Sequence, residues 1–286
     1  MRTTALAALV GLCLTAAALS APSSRATFRG TNGLLVYRAQ AGSRMQLFTV
    51  RPDGSRQHQV THFTNSDAGW PAWSPDGTRI AFERDFANHA AIYTMSASGS
   101  DLHSLTPRGL NGEPSWSPNG RQITFGRYIP GEEASIWFVR ADGGGLRPIT
   151  TNRLPKNDGC GGCAGQGSSV FSPDGKHIAF TWIKGEHSGA IYTVGVNGKG
   201  LHRVTPFTHG VADKIGWSPD GTEIAFSSPE FGRAGRSANA IHTNGTGLRR
   251  LTHENGGTTT TVSTRGHRTA NESPSPATAT APTRST

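Results

Sequence analysis

The amino-acid sequence predicts an all-β fold, and three observations support this prediction. The chain of 286 residues contains 37 Gly and 17 Pro but only 16% charged residues, a composition that suits many short strands joined by tight turns. One ten-residue string, WSPDGTRIAF at positions 73–82, returns three more times with few changes. The copies are 43, 55 and 46 residues apart, a spacing typical of one small unit stacked several times.

The S-P-D-G part of this string predicts a reverse turn. Pro fixes φ near the value needed at the second position of a β-turn, Asp bonds to its own backbone, and Gly accepts the left-handed conformation that closes the turn. The turn occurs four times, once with Asn in place of Asp, at Ser74, Pro75, Asp76, Gly77, at Ser117, Pro118, Asn119, Gly120, at Ser172, Pro173, Asp174, Gly175, and at Ser218, Pro219, Asp220, Gly221.

The residues on either side of each turn predict strands, because they are β-branched or aromatic in short runs. A second hairpin follows each first one, as in AIYTMSASGSDLHSLT at 91–106. Its turn often carries a dipeptide that favours tight hairpins, such as Asn197-Gly198. The last copy, AIHTNGTGLRRLT at 240–252, is interpreted as shortened before its turn.

Four strands in about 40–50 residues is the period of a propeller blade. One such sheet cannot bury both faces, but neighbouring blades in a ring can. We therefore expect the apolar residues of I-A-F and I-Y-T to pack between blades. The predicted propeller covers 27–254, with five four-stranded blades at about 28–62, 70–106, 114–150, 168–205 and 215–252. The first copy has no W-S-P strand before it.

The repeats resemble those of the TolB-like, WD-repeat-like propeller family, whose unit carries W-S-P-D-G-x-x-I-A-F followed by I-Y and then L-T. The resemblance covers residues 30–252 and implies a periplasmic or secreted propeller that docks proteins or small ligands. Similar blades also occur on peptidases and in some polysaccharide lyases. Propellers of this family usually have six blades, and five repeats are present here.

The missing sixth blade leaves three interpretations of the C-terminal residues. The segment TTTTVST at 258–264 has strong β propensity and could close the ring as its last strand. Residues 255–286, rich in Thr, Ser, Pro and Ala, could instead be a disordered tail. A truncated or frame-shifted sixth blade is the third interpretation.

The first 26 residues predict a signal peptide. Arg2 precedes an apolar run at 5–19, and small residues follow. An uncleaved membrane anchor and lipidation at Cys13 are the alternatives. We expect no membrane span after removal of the signal, and a secreted, periplasmic or cell-envelope location.

An insertion before the third copy of the string contains the pair Cys160 and Cys163 in NDGCGGCAGQG. In an exported chain a C-x-x-C pair favours a disulfide that stiffens the loop. A redox pair and half of a metal site are the alternatives. No second C-x-x-C exists, so we expect no metal and no cofactor.

No catalytic motif is present in the sequence. The G-x-S-x-G elbow and a phosphate-binding Gly loop are absent, and HENGG at 253–257 lacks the second His of a zinc protease. The recurrent Asp residues occupy turns. Recurrent His residues near blade ends are interpreted as solvated, or as lining a rim or the channel: His58, His62, His103, His202, His209 and His253.

The resulting functional hypothesis is a non-catalytic module that binds a protein or small-molecule ligand, acts as a monomer and has no specific nucleic-acid partner. A propeller lyase or hydrolase with residues gathered at the channel mouth is the first alternative. The net charge of +9 favours a second alternative, a binder of anionic envelope polymers.

Overall fold

The computed structural model describes residues 33–107, 109–129, 134–150, 163–184, 188–207, 214–229 and 236–252. These residues form five groups of antiparallel strands, one for each predicted repeat, and contain no helix. A single parallel bridge between Ala90 and Leu110 joins the second and third groups into one sheet. The all-β prediction is confirmed. Within the described ranges no helix has the length and apolar character needed to cross a bilayer.

Each group is one blade, and its strands follow chain order from the inside of the ring outwards. Blade 1 consists of β1 (Leu35–Ala41), β2 (Arg44–Val50) and β3 (His58–Gln59). Blade 2 consists of β4 (Asp67–Trp73), β5 (Arg79–Phe86), β6 (His89–Ser96) and β7 (His103–Ser104). Blade 3 consists of β8 (Leu110–Trp116), β9 (Gln122–Tyr128), β10 (Ser135–Arg140) and β11 (Arg147–Pro148).

The last two blades repeat this order. Blade 4 consists of β12 (Cys163–Phe171), β13 (His177–Lys184), β14 (Ser188–Gly195) and β15 (His202–Arg203). Blade 5 consists of β16 (Ile215–Trp217), β17 (Glu223–Pro229), β18 (Arg236–His242) and β19 (Arg249–Arg250). We call β4, β8, β12 and β16 the inner strands. They contact one another from blade to blade, whereas the outermost strand of each blade is only two residues long.

The S-P-D/N-G turn has the same geometry in all four copies. In blade 2 the Ser74 hydroxyl donates to the Asp76 carboxylate at 2.6 Å and accepts the Arg79 amide at 2.9 Å. Gly77 has a φ of 70° and donates its amide to the Ser74 carbonyl. The Pro of each of the first three turns also lies beside the Gly of the next turn; a Cβ on Gly120, for example, would meet Pro75 at 3.7 Å. The string therefore recurs because it both closes a hairpin and packs against the next blade.

Four apolar clusters fill the four junctions between successive blades. Because side chains alternate along a strand, Ile80 and Phe82 of β5 face blade 1, and Ala81 between them faces blade 3. Ile80, Phe82 and Ala81 are fully buried. The expected packing of the I-A-F residues between blades is observed, and complete burial of a side chain the size of Ile or Phe contributes about 1.5–3 kcal/mol.

A threonine in every blade fixes the position of the outermost strand. The Thr106 hydroxyl accepts the backbone amide of Ile92 at 2.9 Å, fourteen residues earlier in the chain. The same bond with the same separation joins Thr61 to Leu47, Thr150 to Ile136, Thr205 to Ile191 and Thr252 to Ala238.

This bond corrects the alignment of the last hairpin. Ala238 and not Ile241 occupies the position of Ile191, so the hairpin has full length and is not shortened. The sequence misled because A-I-H resembles A-I-Y, whereas the hydrogen-bond register starts earlier along β18.

Several predictions lie outside the described residues. These are the signal peptide at 1–26, Cys13, Cys160, the strand at 258–264 and the tail at 255–286. Cys163 begins β12, but its side chain is also outside the description. The disulfide therefore stays a prediction.

Candidate functional site

The inner strands of blades 2, 3 and 4 are interrupted at equivalent positions. Trp70, Glu113 and Ser168 each have a positive φ, of 49°, 56° and 46°, and the strand register shifts at each of them. Each residue lies four positions before the Ser of the following turn. Lys214 occupies the same position before Ser218 in blade 5.

A left-handed backbone conformation costs a non-Gly residue about 1–2 kcal/mol, and a β-bulge re-aims the side chain that it carries. Strain of this kind, repeated at one position of three blades, is typical of a site where side-chain direction matters. The bulges therefore indicate a candidate functional site on the inner face of the ring.

Side chains from non-adjacent blades meet at this inner face. The Lys214 ammonium of blade 5 lies 4.0 Å from the centre of the Trp70 ring in blade 2. The Arg38 guanidinium of blade 1 lies 5.9 Å from the same ring. Because these residues come from different blades and still meet, all three lie at the centre of the ring. There the indole of Trp70 lies beside two cations.

Two carboxyl groups lie beside this cationic cluster. The Glu113 carboxylate accepts hydrogen bonds from both the amide and the hydroxyl of Ser168, each at 2.7 Å. The Glu113 amide in turn donates to the carboxyl group of Glu83 on β5. Gly112 allows this arrangement, because a Cβ there would displace the carboxyl group of Glu83.

Glu83 is the titratable group with the largest perturbation in this cluster. Burial, followed by the negative charges of Asp85 and Glu113, raises its pKa from 4.5 to about 7. The Glu113 amide and the positive charge of Arg38 oppose this shift and are outweighed. The Glu83 carboxyl group therefore exchanges its proton near neutral pH.

We call Arg38, Trp70, Glu83, Glu113, Ser168 and Lys214 the channel cluster. It offers two cations, an aromatic face and two carboxyl groups near the centre of the ring. Such a set can hold a ligand that carries both acceptors and donors. Among the described residues no three His, Cys, Asp or Glu side chains are grouped as metal ligands would be.

A cleft is present in blade 4. It has a volume of about 500 Å³ between two turns, and its charged or titratable side chains are Lys176, His177 and Lys199. Backbone of Gly175, Gly195 and Gly200 forms much of the remaining wall.

Comparison with known proteins agrees with this architecture. The sequence model of the TolB beta propeller domain matches residues 18–159. Residues 18–159, just under half of the chain, therefore carry the TolB beta propeller domain, and the later repeats are similar to it. No curated protein sequence is similar enough to count as a relative of this TolB-like chain.

Solved structures show the same fold. TolB from Acinetobacter baumannii has a TM-score of 0.60 and 20% identity, over 74% of this chain and 49% of that protein. A protein described as a TolB of Agrobacterium tumefaciens has a TM-score of 0.60 and 20% identity, over 72% and 73% of the two chains. An oligogalacturonate lyase in complex with manganese has a TM-score of 0.55 and 14% identity, over 77% and 62%.

These similarities establish the TolB-like fold and no activity, since all identities are low. The aligned part of the TolB-like chain spans about half the length of the Acinetobacter protein. Both a TolB and an enzyme share the fold, so function must be argued from the residues of this chain.

The residues singled out in the sequence fall in two places of the TolB-like fold. The S-P-D/N-G residues form the turns at the ends of the inner strands. His58, His103 and His202 lie exposed on the outermost strands β3, β7 and β15, far from the inner face, and His62 is exposed after β3. None of these four lines the channel; His209 and His253 lie outside the described residues.

Sequence reasoning missed the channel cluster. A signal was nevertheless present at the fourth residue before each turn Ser. That position holds Trp, Glu, Ser and Lys in successive copies, whereas the turn that follows is nearly constant. In a TolB-like scaffold, the residues that are specific to one chain occupy positions that vary within the constant repeat.

Proposed function

We propose that this chain is a secreted, non-catalytic binding module of the cell envelope and that its ligand or protein partner is held at the channel cluster. The observation that carries the proposal is the strained, variable position of the inner strands, where Trp70, Glu113 and Ser168 are turned left-handed at equivalent sites. Backbone strain at three residues costs free energy, and the packing of the blades alone does not require it.

The chemistry of the cluster favours a partner segment that carries both charges. Lys214 and Arg38 attract an anionic group beside the Trp70 ring. Glu83 and Glu113 attract a donor or a cation. A polypeptide loop or a zwitterionic small molecule meets both requirements, and the indole supplies an apolar contact surface.

A second candidate function rests on the basic cleft of blade 4. Lys176, His177 and Lys199 line it, and the chain as a whole carries a net charge of +9. An anionic envelope polymer would bind there through its charge, and such binding weakens as salt screens the interaction.

One capture experiment separates the two candidates. The immobilised protein, its Lys214→Glu variant and its Lys199→Glu variant are exposed to an envelope extract at low and at high salt. The two variants carry the same charge change, one in the channel cluster and one in the exposed turn of blade 4.

Binding at the channel predicts a component that is retained at high salt, lost with Lys214→Glu and kept with Lys199→Glu. Binding of a polymer at the cleft predicts the reverse pattern of variants and release by salt. Equal capture by all three proteins would refute both sites.

A further inference from the structure

The backbone amides at the strained positions of blades 3 and 4 each donate to a carboxyl group of the preceding blade. The Glu113 amide of blade 3 donates to the Glu83 carboxyl group of blade 2. The Ser168 amide of blade 4 donates to the Glu113 carboxylate of blade 3 at 2.7 Å. A β-bulge leaves its extra residue unpaired in its own sheet, so the amide of that residue needs another acceptor. In both blades a carboxyl group of the chain itself supplies the acceptor.

The equivalent place in blade 1, which faces the strained residue Trp70 of blade 2, holds Arg38 instead of a glutamate. Arg38 pairs with Leu47 across β1 and β2. Glu83 pairs with Ile92 across β5 and β6. Leu47 and Ile92 are themselves equivalent, because each donates its amide to the threonine of its own blade. Arg38 is therefore the blade 1 counterpart of Glu83.

A glycine before each strained residue lets the side chain of the preceding blade lie against the inner strand. A Cβ on Gly112 in blade 3 would meet the Glu83 carboxyl group. A Cβ on Gly69 in blade 2 would meet the Arg38 guanidinium at 3.3 Å. Arg38 therefore approaches the inner strand of blade 2 in the same way that Glu83 approaches the inner strand of blade 3.

The exchange of a glutamate for an arginine leaves donors where the next two blades have a donor and an acceptor. An arginine side chain only donates hydrogen bonds, so Arg38 cannot accept from the Trp70 amide. Among the described residues, no side chain accepts from that amide and none accepts from the Arg38 guanidinium. The Lys214 ammonium adds a positive charge 4.0 Å from the centre of the Trp70 ring. The place has the donors and the charge that a carboxylate requires.

We propose that the ring binds a carboxylate group of its ligand at Arg38 and the Trp70 amide, in the place that a carboxyl group of the chain itself occupies in the next two blades. The proposal rests on the proposed function, because it names the group by which a ligand is held at the channel cluster. A guanidinium presents two parallel N–H groups that match the two oxygens of a carboxylate. The Trp70 indole supplies an apolar surface for the carbon atoms next to that carboxylate.

Amide chemical shifts of the full chain, labelled with ¹⁵N, test the proposal with three tripeptide probes at constant salt. Acetyl-Gly-Glu-Gly-amide carries a side-chain carboxylate, acetyl-Gly-Gly-Gly carries a terminal carboxylate, and acetyl-Gly-Gln-Gly-amide carries none. The amides of Glu113 and Ser168 are the internal reference, since both already donate to a carboxyl group. Amides of β9 in blade 3 report whether each protein is folded.

A carboxylate probe should move the Trp70 amide proton downfield, because a hydrogen bond to a carboxylate deshields it. The Glu113 and Ser168 amides should not move, and the Gln probe should have no effect. With Arg38→Gln the dissociation constant of the carboxylate probe should rise about tenfold or more, the loss expected when one partner of a charged hydrogen bond is removed. The tighter of the two carboxylate probes identifies whether the ligand presents an acidic side chain or a chain terminus.

The Arg38→Glu variant supplies the missing carboxylate from within the chain. Because Glu83 reaches the Glu113 amide from the equivalent position, the introduced carboxylate should bond to the Trp70 amide. It should shift that amide downfield without a probe and abolish binding of both carboxylate probes. Lys199→Glu makes the same charge change in the exposed turn of blade 4 and should alter neither the Trp70 shift nor the binding.

Three results would overturn the proposal: no Trp70 shift with any probe, equal shifts with the Glu and Gln probes, or unchanged probe binding in Arg38→Glu. The capture experiment with Lys214→Glu separates this failure from a failure of the proposed function. If capture is still lost with Lys214→Glu, the channel cluster binds a ligand through another group. If Lys214→Glu captures as much as the parent protein, the binding site itself is refuted.

Discussion

The Lys214 ammonium nitrogen lies 4.0 Å from the centre of the Trp70 ring, although the two residues belong to blades 5 and 2. Neither residue is adjacent to the other in sequence or in the order of blades. Their contact exists only because five repeats curve around a common centre. It is therefore a sensitive measure of whether the ring forms as described.

A double-mutant cycle tests this contact. We expect Trp70→Leu and Lys214→Met to be coupled by about 0.5–1 kcal/mol in the free energy of unfolding, the usual strength of a partly exposed cation–π pair. The control cycle pairs Trp70→Leu with Lys199→Met, and it should be additive within about 0.3–0.5 kcal/mol. Equal coupling in both cycles would disprove the contact.

The raised pKa of Glu83 predicts a specific dependence of stability on pH. The folded protein binds a proton at Glu83 with a pKa of about 7, whereas the unfolded chain has the ordinary value of 4.5. Between these two values the folded state holds more protons, so the contribution of Glu83 to stability falls as pH rises from 4.5 to 7.

Glu83→Gln should remove this decline and raise the free energy of unfolding at pH 8 by about 1–3 kcal/mol. Urea titrations at pH 5 and pH 8 measure it. The comparison variant is Glu223→Gln, because the Arg249 hydrogen bond lowers the pKa of Glu223; that variant should lose stability at pH 8 and approach the parent protein as pH falls below 4.5. A Glu83→Gln protein with the parent's pH dependence would refute the assignment.

Gly99 is required at the contact between blades 1 and 2. It has a φ of 88°, and a Cβ there would collide with the carbonyl oxygen of Val60. Gly54 at the equivalent turn of blade 1 has a φ of 80° with open space around it. We expect Gly54→Ala to cost about 1–2 kcal/mol from backbone strain alone and Gly99→Ala to cost clearly more, about 2–4 kcal/mol. Thermal unfolding of both variants decides this, and equal losses would contradict the collision.

The bond between Thr106 and Ile92 predicts the outcome of a pair of substitutions. Thr106→Val keeps the shape but leaves the buried Ile92 amide without its acceptor, which costs about 1–3 kcal/mol. Thr106→Ser keeps the hydroxyl and removes one methyl group, so the loss should be about 0.8 kcal/mol. Denaturant midpoints of the two variants are the measurement; a serine variant as unstable as the valine variant would show that packing, and not the hydrogen bond, matters there.

The repeated turn could be predicted in full because its causes are local. Pro75, Asp76 and Gly77 define φ values and hydrogen bonds within a few residues. In the three copies that carry Asp, these bonds lower the pKa of that Asp, to about 2 at Asp220. Alternation along β5 likewise follows from strand geometry, so the burial of Ile80 and Phe82 could be read from the sequence. The register of β18 could not be read from the sequence. The similarity of A-I-H to A-I-Y suggested one alignment, whereas a hydrogen bond between residues fourteen positions apart sets another.

What the sequence by itself determined is the blade: the turn, the two hairpins, the apolar faces and the number of repeats, all of which depend on contacts near in the chain. Only the tertiary structure decided which residues share the centre of the ring. Trp70, Glu113, Ser168 and Lys214 are separated by 43, 55 and 46 residues, and nothing local distinguishes them from other strand residues. They come together because each inner strand turns the same position towards one common axis, a relationship that exists only once the blades have packed.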